Sequence, residues 1–468
     1  MSNQTIETDY LVIGCGATAM AFVDTLLDES DASITIVDRH AKPGGHWNDA
    51  YSFVTLHQPS AYYGVNSAEL GQLRIDNAGP NKGMYELASG AEVSAYFERL
   101  MLQKFLSGGR VRYYPMCNFD EVGNIVSLLS GDTVHVRVNK RIVDASNFSP
   151  SVPSTHKRGF TIASGIECVP PNALPQLWMH RDSGARVRQF CIVGAGKTAM
   201  DACIWLLRNG ARADAIIWIM PRDSWLQNRL HTQPGEAFFL DSIGGEADKL
   251  DAFAHADSID DLFARLEGLG QMLRIDPTHR PTMFHYATLS SGELELLRSI
   301  QNVIRMGRVR AIESGALMLD GGRVTMDPDT LYVDCTASAI SHRPNEPVFQ
   351  DGRIVIQLLR APLLVLSSAL TAYLEAHGGD DANRNRLSVP VPFPQDLAGF
   401  ARATRMGMLN QHNWSQEKAL RQWMRQSRLD AFGKLVAEVD KSDAPKQAVL
   451  ARLRNNSMAA MGNMQQLI

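Results

Sequence analysis

The chain has 468 residues, enough for two or three domains with a well-buried core. With 45% apolar and 21% charged residues it is an ordinary globular chain, and its formal charge of −4 gives no basic field for nucleic acid. No run of about 18 uninterrupted apolar residues predicts a membrane span, and a polar residue 1–8 stretch leading straight into an apolar run leaves no signal peptide, so a cytoplasmic protein is expected.

Residues 10–13 (Tyr10, Leu11, Val12, Ile13) form a short apolar run that predicts a buried parallel strand. Gly14, Gly16 and Ala19 follow at dinucleotide spacing, and Met20, Phe22, Val23, Leu26 and Leu27 then recur with helical period. The glycines let the backbone approach a pyrophosphate, whose charge sits on the orphan N–H groups of the helix. Residues 34–37 are the next strand, ending in Asp38, which suits ribose hydroxyls. A loop over 49–66, a helix over 92–106 and a strand over 133–139 follow, then a Pro/Ser-rich linker at 149–154.

The opening pattern then returns about 180 residues later. Residues 190–193 read as a strand, Gly194, Gly196 and Ala199 as a second glycine turn that includes Lys197 and Thr198, and residues 200–207 as a helix. The strand at 216–220 ends in Pro221, Arg222 and Asp223. A guanidinium pairs a 2′-phosphate bidentately, so Arg222 favours NADP, whereas Asp223 would suit the bare ribose of NAD.

Residues 225–300 show no regular sheet signal and predict helices at 250–272 and 292–304, an inserted lid or substrate segment in which Arg229, His231 and Gln233 either line a pocket or lie in an exposed loop. A hairpin is expected at 317–326, turning at Asp320, Gly321 and Gly322, and a buried strand at 331–337. Residues 363–376 and 395–468 read as helical, with Trp414, Leu420, Trp423 and Met424 as core or dimer-packing positions. The six cysteines form no C-x-x-C pair, and neither a metal cluster nor a hydrolytic triad is visible, so no metal site and no redox dithiol are expected.

Two glycine units, an acidic first strand end, the Gly44-Gly45-His46-Trp47 turn, and the runs Val54–Ser60 and Ile217–Trp225 resemble the flavin-containing monooxygenases and their Baeyer–Villiger relatives. The likeness extends over residues 9–375. It implies FAD held by Gly14, Gly16, Ala19, Asp38, Arg39, Gly45 and His46, with Trp47 against the isoalloxazine region. It also implies NADPH held by Gly194, Gly196, Lys197, Thr198, Ala199 and Arg222. Where many members place an asparagine beside the flavin's reactive edge, this chain offers His57 or Gln58 as the catalytic groups. The family's Phe-x-Gly-x-x-x-His signature is absent, and Asp334-Cys335-Thr336-Ala337 stands where the family has a strand closing the flavin domain.

The expected fold is α/β: two Rossmann-like dinucleotide-binding domains, the second inserted in the first, with a helical C-terminal segment. The expected boundaries are 1–150 and 316–390 for the FAD domain, 151–315 for the NADP domain and 391–468 for the helical segment. The expected function is an FAD- and NADPH-dependent monooxygenase that puts one atom of O2 into a small organic substrate through a C4a-peroxyflavin, with a homodimer possible and no nucleic-acid partner. Two alternatives stay open: a flavin-dependent NAD(P)H reductase that does not oxygenate, and a non-catalytic nucleotide-binding protein.

Overall fold

In the computed structural model, residues 5–120, 122–148, 150–179, 189–338 and 343–468 are described. The strand Thr5–Ile13 runs parallel to Ile34–Asp38 on one side and to Thr133–Asp144 on the other. This sheet continues through Val111–Pro115 at one edge and through Arg353–Val355 and Phe349–Gln350 at the other. All five residues of Ile34–Asp38 are buried, which is why the run reads as continuously apolar rather than alternating. The expected 133–139 strand is in fact twelve residues long: it runs to Asp144, and the hairpin Cys117–Phe119/Asn124–Ser127 pairs with its first three residues.

A second, five-stranded parallel sheet has the order Val303–Ile304, Ile216–Ile219, Gln189–Val193, Thr330–Asp334, Cys168–Val169. Its strands all lie, in sequence, between Thr133–Asp144 and the return of the chain to the first sheet at Phe349. Thr330–Asp334 was expected to close the first domain. It instead pairs along its whole length with Gln189–Val193, because its five buried residues need a neighbour on each side and the second sheet supplies both. The second unit therefore extends past residue 315, and the first sheet resumes after Asp334.

The 225–300 stretch is not purely helical. Ser224–Asn228, Met272–Leu273 and Met283–Leu289 form a small sheet of their own. Met272–Leu273 is too short for periodicity to register, and the register shift between Trp225 and Gln227 breaks the alternation along Met283–Leu289. Helices Gly245–His255, Ile259–Gly268 and Ser291–Arg298 fill the rest of that stretch, shorter than expected. Leu420, Trp423, Met424 and Trp414 join the core of the first sheet, as helical spacing suggested. Phe400, Ala460 and Met464 pack instead on Trp225, Phe263 and Phe284, so the C-terminal helices bridge the small sheet and the first unit. Among the described residues no helix is long and apolar enough to cross a membrane.

Candidate functional site

The two glycine turns share their backbone hydrogen bonds to the strands on either side. Gly14 has φ +98° and donates its N–H to the Val37 carbonyl at 2.8 Å; Gly194 has φ +128° and donates to Ile219 at 3.1 Å. The neighbouring strand closes each turn the same way, Ala145 N–H to Ile13 at 3.1 Å and Cys335 N–H to Val193 at 2.9 Å. Both closing strands end in an aspartate that caps its own turn. Asp144 accepts from the Ser146 N–H and hydroxyl at 2.9 and 2.7 Å, and Asp334 from those of Thr336 at 3.0 and 2.7 Å. Burial disfavours the Asp144 charge, but Ser146 and Arg353 outweigh it and hold the carboxyl below its usual range.

Helices Ala17–Glu29 and Lys197–Arg208 start from Gly16 and Gly196 with no side-chain cap and no acid in the first turn. Other helices, such as Gly90–Leu100, Ser291–Arg298 and Leu397–Gln416, are capped by Ser89, Ser290 and Asp396. The first N–H groups of the two glycine-turn helices are thus left for an anion. Gly44 donates its N–H to the Cys15 carbonyl at 2.8 Å, and Gly45 lies so close that a β-carbon on it would sit 2.9 Å from the Gly16 Cα. Only glycine permits this contact between the turn at 44–47 and the first glycine loop.

One cavity of about 1650 Å³ joins the two turns. Its volume exceeds the roughly 300–1,000 Å³ typical of a pocket for one small ligand. Gly14, Gly16, Asp38, Arg39, Gly45, His46, Trp47, His57, Gln58, Gly194, Gly196, Lys197, Thr198 and Arg222 all line it. Ala19 and Ala199 do not. They are buried in the two cores, where a methyl side chain lets each helix lie close to its sheet. Arg229, His231 and Gln233 are not cavity-lining either. Arg229 is fully buried and bound to Glu293 at 2.6 Å and Asn81 at 3.1 Å; Gln233 is equally buried, and His231 is bonded to the Asp241 carbonyl at 2.7 Å.

Asp38 has more partners than the sequence suggested. Its Oδ2 accepts the Cys15 N–H at 2.5 Å, and its Oδ1 accepts both the His40 N–H and His40 Nδ1–H, at 2.6 and 2.9 Å. A carboxylate has about four acceptor positions, so about one is left for a ribose hydroxyl. His40 Nε2 reaches Asp49 at 2.8 Å, so the ring bridges two carboxylates. The bond to Asp38 raises the His40 pKa against burial, with Asp49 adding to it. A raised imidazole pKa stabilises the fold fully below the unfolded value of about 6.5 and loses that contribution as pH rises through the folded value. His40→Asn should therefore cost about 2 kcal/mol at pH 6, where the bonds are charge-assisted, and less as pH rises. Thermal melting of both proteins from pH 5 to 9 checks this; a gap that stays constant or widens with pH contradicts it.

The loop after Trp47 is clamped to the second unit. The Tyr51 hydroxyl donates to Asp201 Oδ2 at 2.7 Å, Lys197 binds the other Asp201 oxygen, and Phe53 stacks on Trp205 at 5.1 Å. Arg229 Nε donates to the His57 carbonyl at 3.3 Å. His57 thus stands between the turns with its side chain exposed to the cavity. Desolvation by the surrounding protein first, then Lys197 and Arg229, lower its pKa below the usual imidazole value, so the ring is neutral at physiological pH. His46 is likewise pushed down to about 4, chiefly by burial. Gln58 Nε2 donates to the Tyr62 carbonyl at 3.0 Å, and Trp47 Nε1 to the Tyr63 hydroxyl at 2.7 Å.

Beyond the second strand, Asp223 is held bidentately by Arg305 at 2.9 and 3.0 Å. Among the described residues Arg222, with Arg39, Lys157 and Arg308 on the same cavity wall, enters no ion pair. Sequence reasoning missed His40, Tyr51, Asp201, Lys157 and Arg308, of which only His40 has a local signal, its place two residues after Asp38. Burial raises the pKa of all six free cysteines. Among the described residues no three His, Cys, Asp or Glu side chains are grouped to hold a metal ion.

No family model matches the chain. An uncharacterized protein of Mycobacterium tuberculosis (strain ATCC 25618 / H37Rv) is 44% identical to it over 451 residues, covering 96% of this chain and 82% of that one. An uncharacterized protein of Mycobacterium bovis matches to the same extent. The chain belongs to the family of these mycobacterial proteins. It is also similar to two solved monooxygenases and a reductase. A steroid monooxygenase bound to NADP has TM-score 0.48 and 14% identity over 80% of this chain and 86% of that one. A cyclohexanone-bound cyclohexanone monooxygenase has TM-score 0.47 and 13% identity over 80% and 88%. The bacillithiol disulfide reductase of Bacillus cereus has TM-score 0.44 and 10% identity over 81% and 100%.

Proposed function

We propose that this family member is an FAD- and NADPH-dependent oxidoreductase that oxygenates a small organic substrate with O2. The observation that carries the reading is the pair of uncapped, acid-free helix starts at Gly16 and Gly196, opening on one cavity. Two dinucleotides with anionic pyrophosphates fit that arrangement, and Arg39, Lys157, Arg222 and Arg308 match their charge. FAD belongs at the Gly14–Gly16 turn and NADPH at the Gly194–Gly196 turn. When bound, FAD would take a hydride from NADPH and pass the electrons to O2.

The chain's own part is alignment. Tyr51, Asp201 and Lys197 fix the loop that carries His57, and the neutral imidazole of His57 and the Gln58 amide offer hydrogen bonds without adding charge. With its pKa lowered, His57 should give hydride transfer no inflection above about pH 6.5. The deciding measurement is the visible spectrum of the purified protein before and after anaerobic NADPH. A yellow protein that bleaches supports the reading, and a colourless one that takes up no FAD refutes it. Stopped-flow mixing of the reduced protein with O2 then separates oxygenation, seen as an absorbing transient, from a direct return to the oxidised spectrum, which would mark a reductase.

Arg222 is assigned to the 2′-phosphate, since Arg305 occupies the acid that would otherwise compete for the ribose. Arg222→Ala should raise the KM for NADPH about tenfold, equivalent to about 1.4 kcal/mol, and leave NADH nearly unaffected. Equal losses with the two nucleotides in steady-state FAD reduction would remove the phosphate role.

A further inference from the structure

Residues 60–65 follow the cavity-lining pair His57 and Gln58 and bring Tyr63 to the same wall. Both ends of this loop are held by neighbours in the first unit. Ser60 Oγ donates to the Glu86 carbonyl at 2.9 Å and accepts the Ala88 N–H at 2.7 Å, while the Val65 N–H donates to the Tyr96 hydroxyl at 2.9 Å. Between these ends the chain turns at Gly64, with φ +92°, where a β-carbon would strike the Tyr96 ring. The carbonyls of Ala61, Tyr63 and Val65 all turn to one cation, the guanidinium of Arg428. Its Nη1 donates to Ala61, and its Nη2 to Val65 and, at 2.7 Å, to Tyr63.

Arg428 comes from the C-terminal helical segment, 363 to 367 residues further along the chain and outside the 9–375 stretch that carries the resemblance. That segment docks without it. Trp423 stacks on Tyr373 at 4.7 Å and donates its Nε1–H to Glu29 at 3.0 Å. Ser427 Oγ donates to Asn66 at 2.8 Å, Leu429 is buried in the first core, and Asp430 pairs with Arg360 at 3.0 Å. The charge of Arg428 is placed here against its hydration: burial lowers its pKa, with Tyr96, Glu69 and Asp24 opposing that, and among the described residues no carboxylate forms an ion pair with it. An apolar side chain would fill the space without losing hydration, so the cation serves the three carbonyls, each of which gains a charge-assisted bond.

The loop held in this way carries side-chain partners of the cavity wall. The Tyr63 hydroxyl accepts the Trp47 Nε1–H at 2.7 Å, and the two rings meet edge to face at 6.0 Å. Trp47 belongs to the 44–47 turn, which presses on the first glycine loop where Gly45 meets Gly16. Gln58 Nε2–H reaches the Tyr62 carbonyl at 3.0 Å, and the Tyr62 ring stacks on Phe432 of the C-terminal segment at 6.4 Å. A shift of residues 61–65 would therefore displace the partners of Trp47 and Gln58 together, without touching either glycine turn.

We propose that Arg428 is a positioning residue of the flavin site: it holds residues 61–65 so that the Tyr63 hydroxyl fixes the Trp47 ring beside the first glycine turn. The inference rests on the proposed placement of FAD at that turn. The first test needs no cofactor. In the full chain labelled with nitrogen-15 at its seven tryptophans, the Trp47 indole N–H signal is assigned with Trp47→Phe. Arg428→Met should move that signal in the direction in which Tyr63→Phe moves it, leave those of Trp218 and Trp225 in place, and move it no further in the double variant. Should Arg428→Met fail to fold, Arg428→Gln, which keeps a donor but not the guanidinium fork, is read in the same way. The second test is FAD titration, in which Arg428→Met and Tyr63→Phe should each weaken FAD about tenfold and the pair together no more than either alone. The inference is overturned by a folded Arg428 variant whose Trp47 signal stays in place, or whose Trp218 and Trp225 signals move as far as that of Trp47. Losses of FAD affinity that add in the double variant overturn it as well. A wild-type chain that takes up no FAD refutes the flavoprotein reading and with it the role of Arg428 in FAD binding, whatever the tryptophan signals show.

Discussion

Gly16→Val should reduce FAD affinity at least about 100-fold, roughly 2.7 kcal/mol, in a protein that still folds. Gly16 has ordinary extended dihedrals, so a side chain is not forbidden by its backbone. A β-carbon there would meet the Gly45 Cα at 3.6 Å, an ordinary contact, so Gly16→Ala should be tolerated. The two further methyls of valine fill the gap between the first glycine loop and the 44–47 turn, where the helix N–H groups face the cavity. Charge-assisted hydrogen bonds contribute roughly 1.5–3 kcal/mol each, so losing one or two accounts for the predicted effect. The measurement is fluorescence titration of FAD into apo protein, with melting as the control for folding. A folded valine variant that keeps stoichiometric FAD would refute the assignment of FAD to this turn.

The parts of the site that could be read from the sequence are those whose chemistry is local. Gly14 and Gly194 announce themselves because a positive φ between a buried strand and a helix requires glycine, and Asp38 and Arg222 because strand length fixes where each strand ends. What escaped notice depends on distance in the chain. Tyr51 and Asp201 are 150 residues apart, and His285 meets Pro394 across 109, so neither pairing leaves a periodic trace. The small sheet at 224–289 was hidden because Met272–Leu273 is only two residues long and a bulge interrupts the pairing of Ser224–Asn228 with Met283–Leu289. Thr330–Asp334 was read correctly as a strand but assigned to the wrong sheet, since a fully buried run carries no record of which neighbours it pairs with. The occupancy of Asp38 by His40 was visible only as proximity in sequence. Its consequence, a carboxylate with about one acceptor position free, needed the geometry.

The two glycine turns look interchangeable in sequence, but the structure makes them unequal, and that inequality is measurable. At Gly14 a β-carbon would meet its nearest neighbour, the Ala145 backbone, at an unremarkable 3.7 Å. Gly14→Ala should therefore cost only the strain of a positive φ, about 1–2 kcal/mol. At Gly194 the same atom would lie 2.7 Å from the Cys335 carbonyl oxygen and 3.0 Å from its carbon. Neither atom can retreat freely, because Cys335 N–H is bonded to Val193 and Asp334 pairs with Val193 in the parallel ladder. Relief would require opening the sheet between Gln189–Val193 and Thr330–Asp334. Overpacking of about 1–3 kcal/mol then adds to the backbone strain, for a total of about 2–5 kcal/mol. Gly194→Ala should thus be less stable than Gly14→Ala by about 2 kcal/mol, with the loss falling on the second unit and on NADPH binding. Denaturant unfolding of both variants, followed by near-ultraviolet circular dichroism, measures the difference. If Gly14→Ala proves equally costly, the close approach at Cys335 is not what makes glycine necessary at position 194.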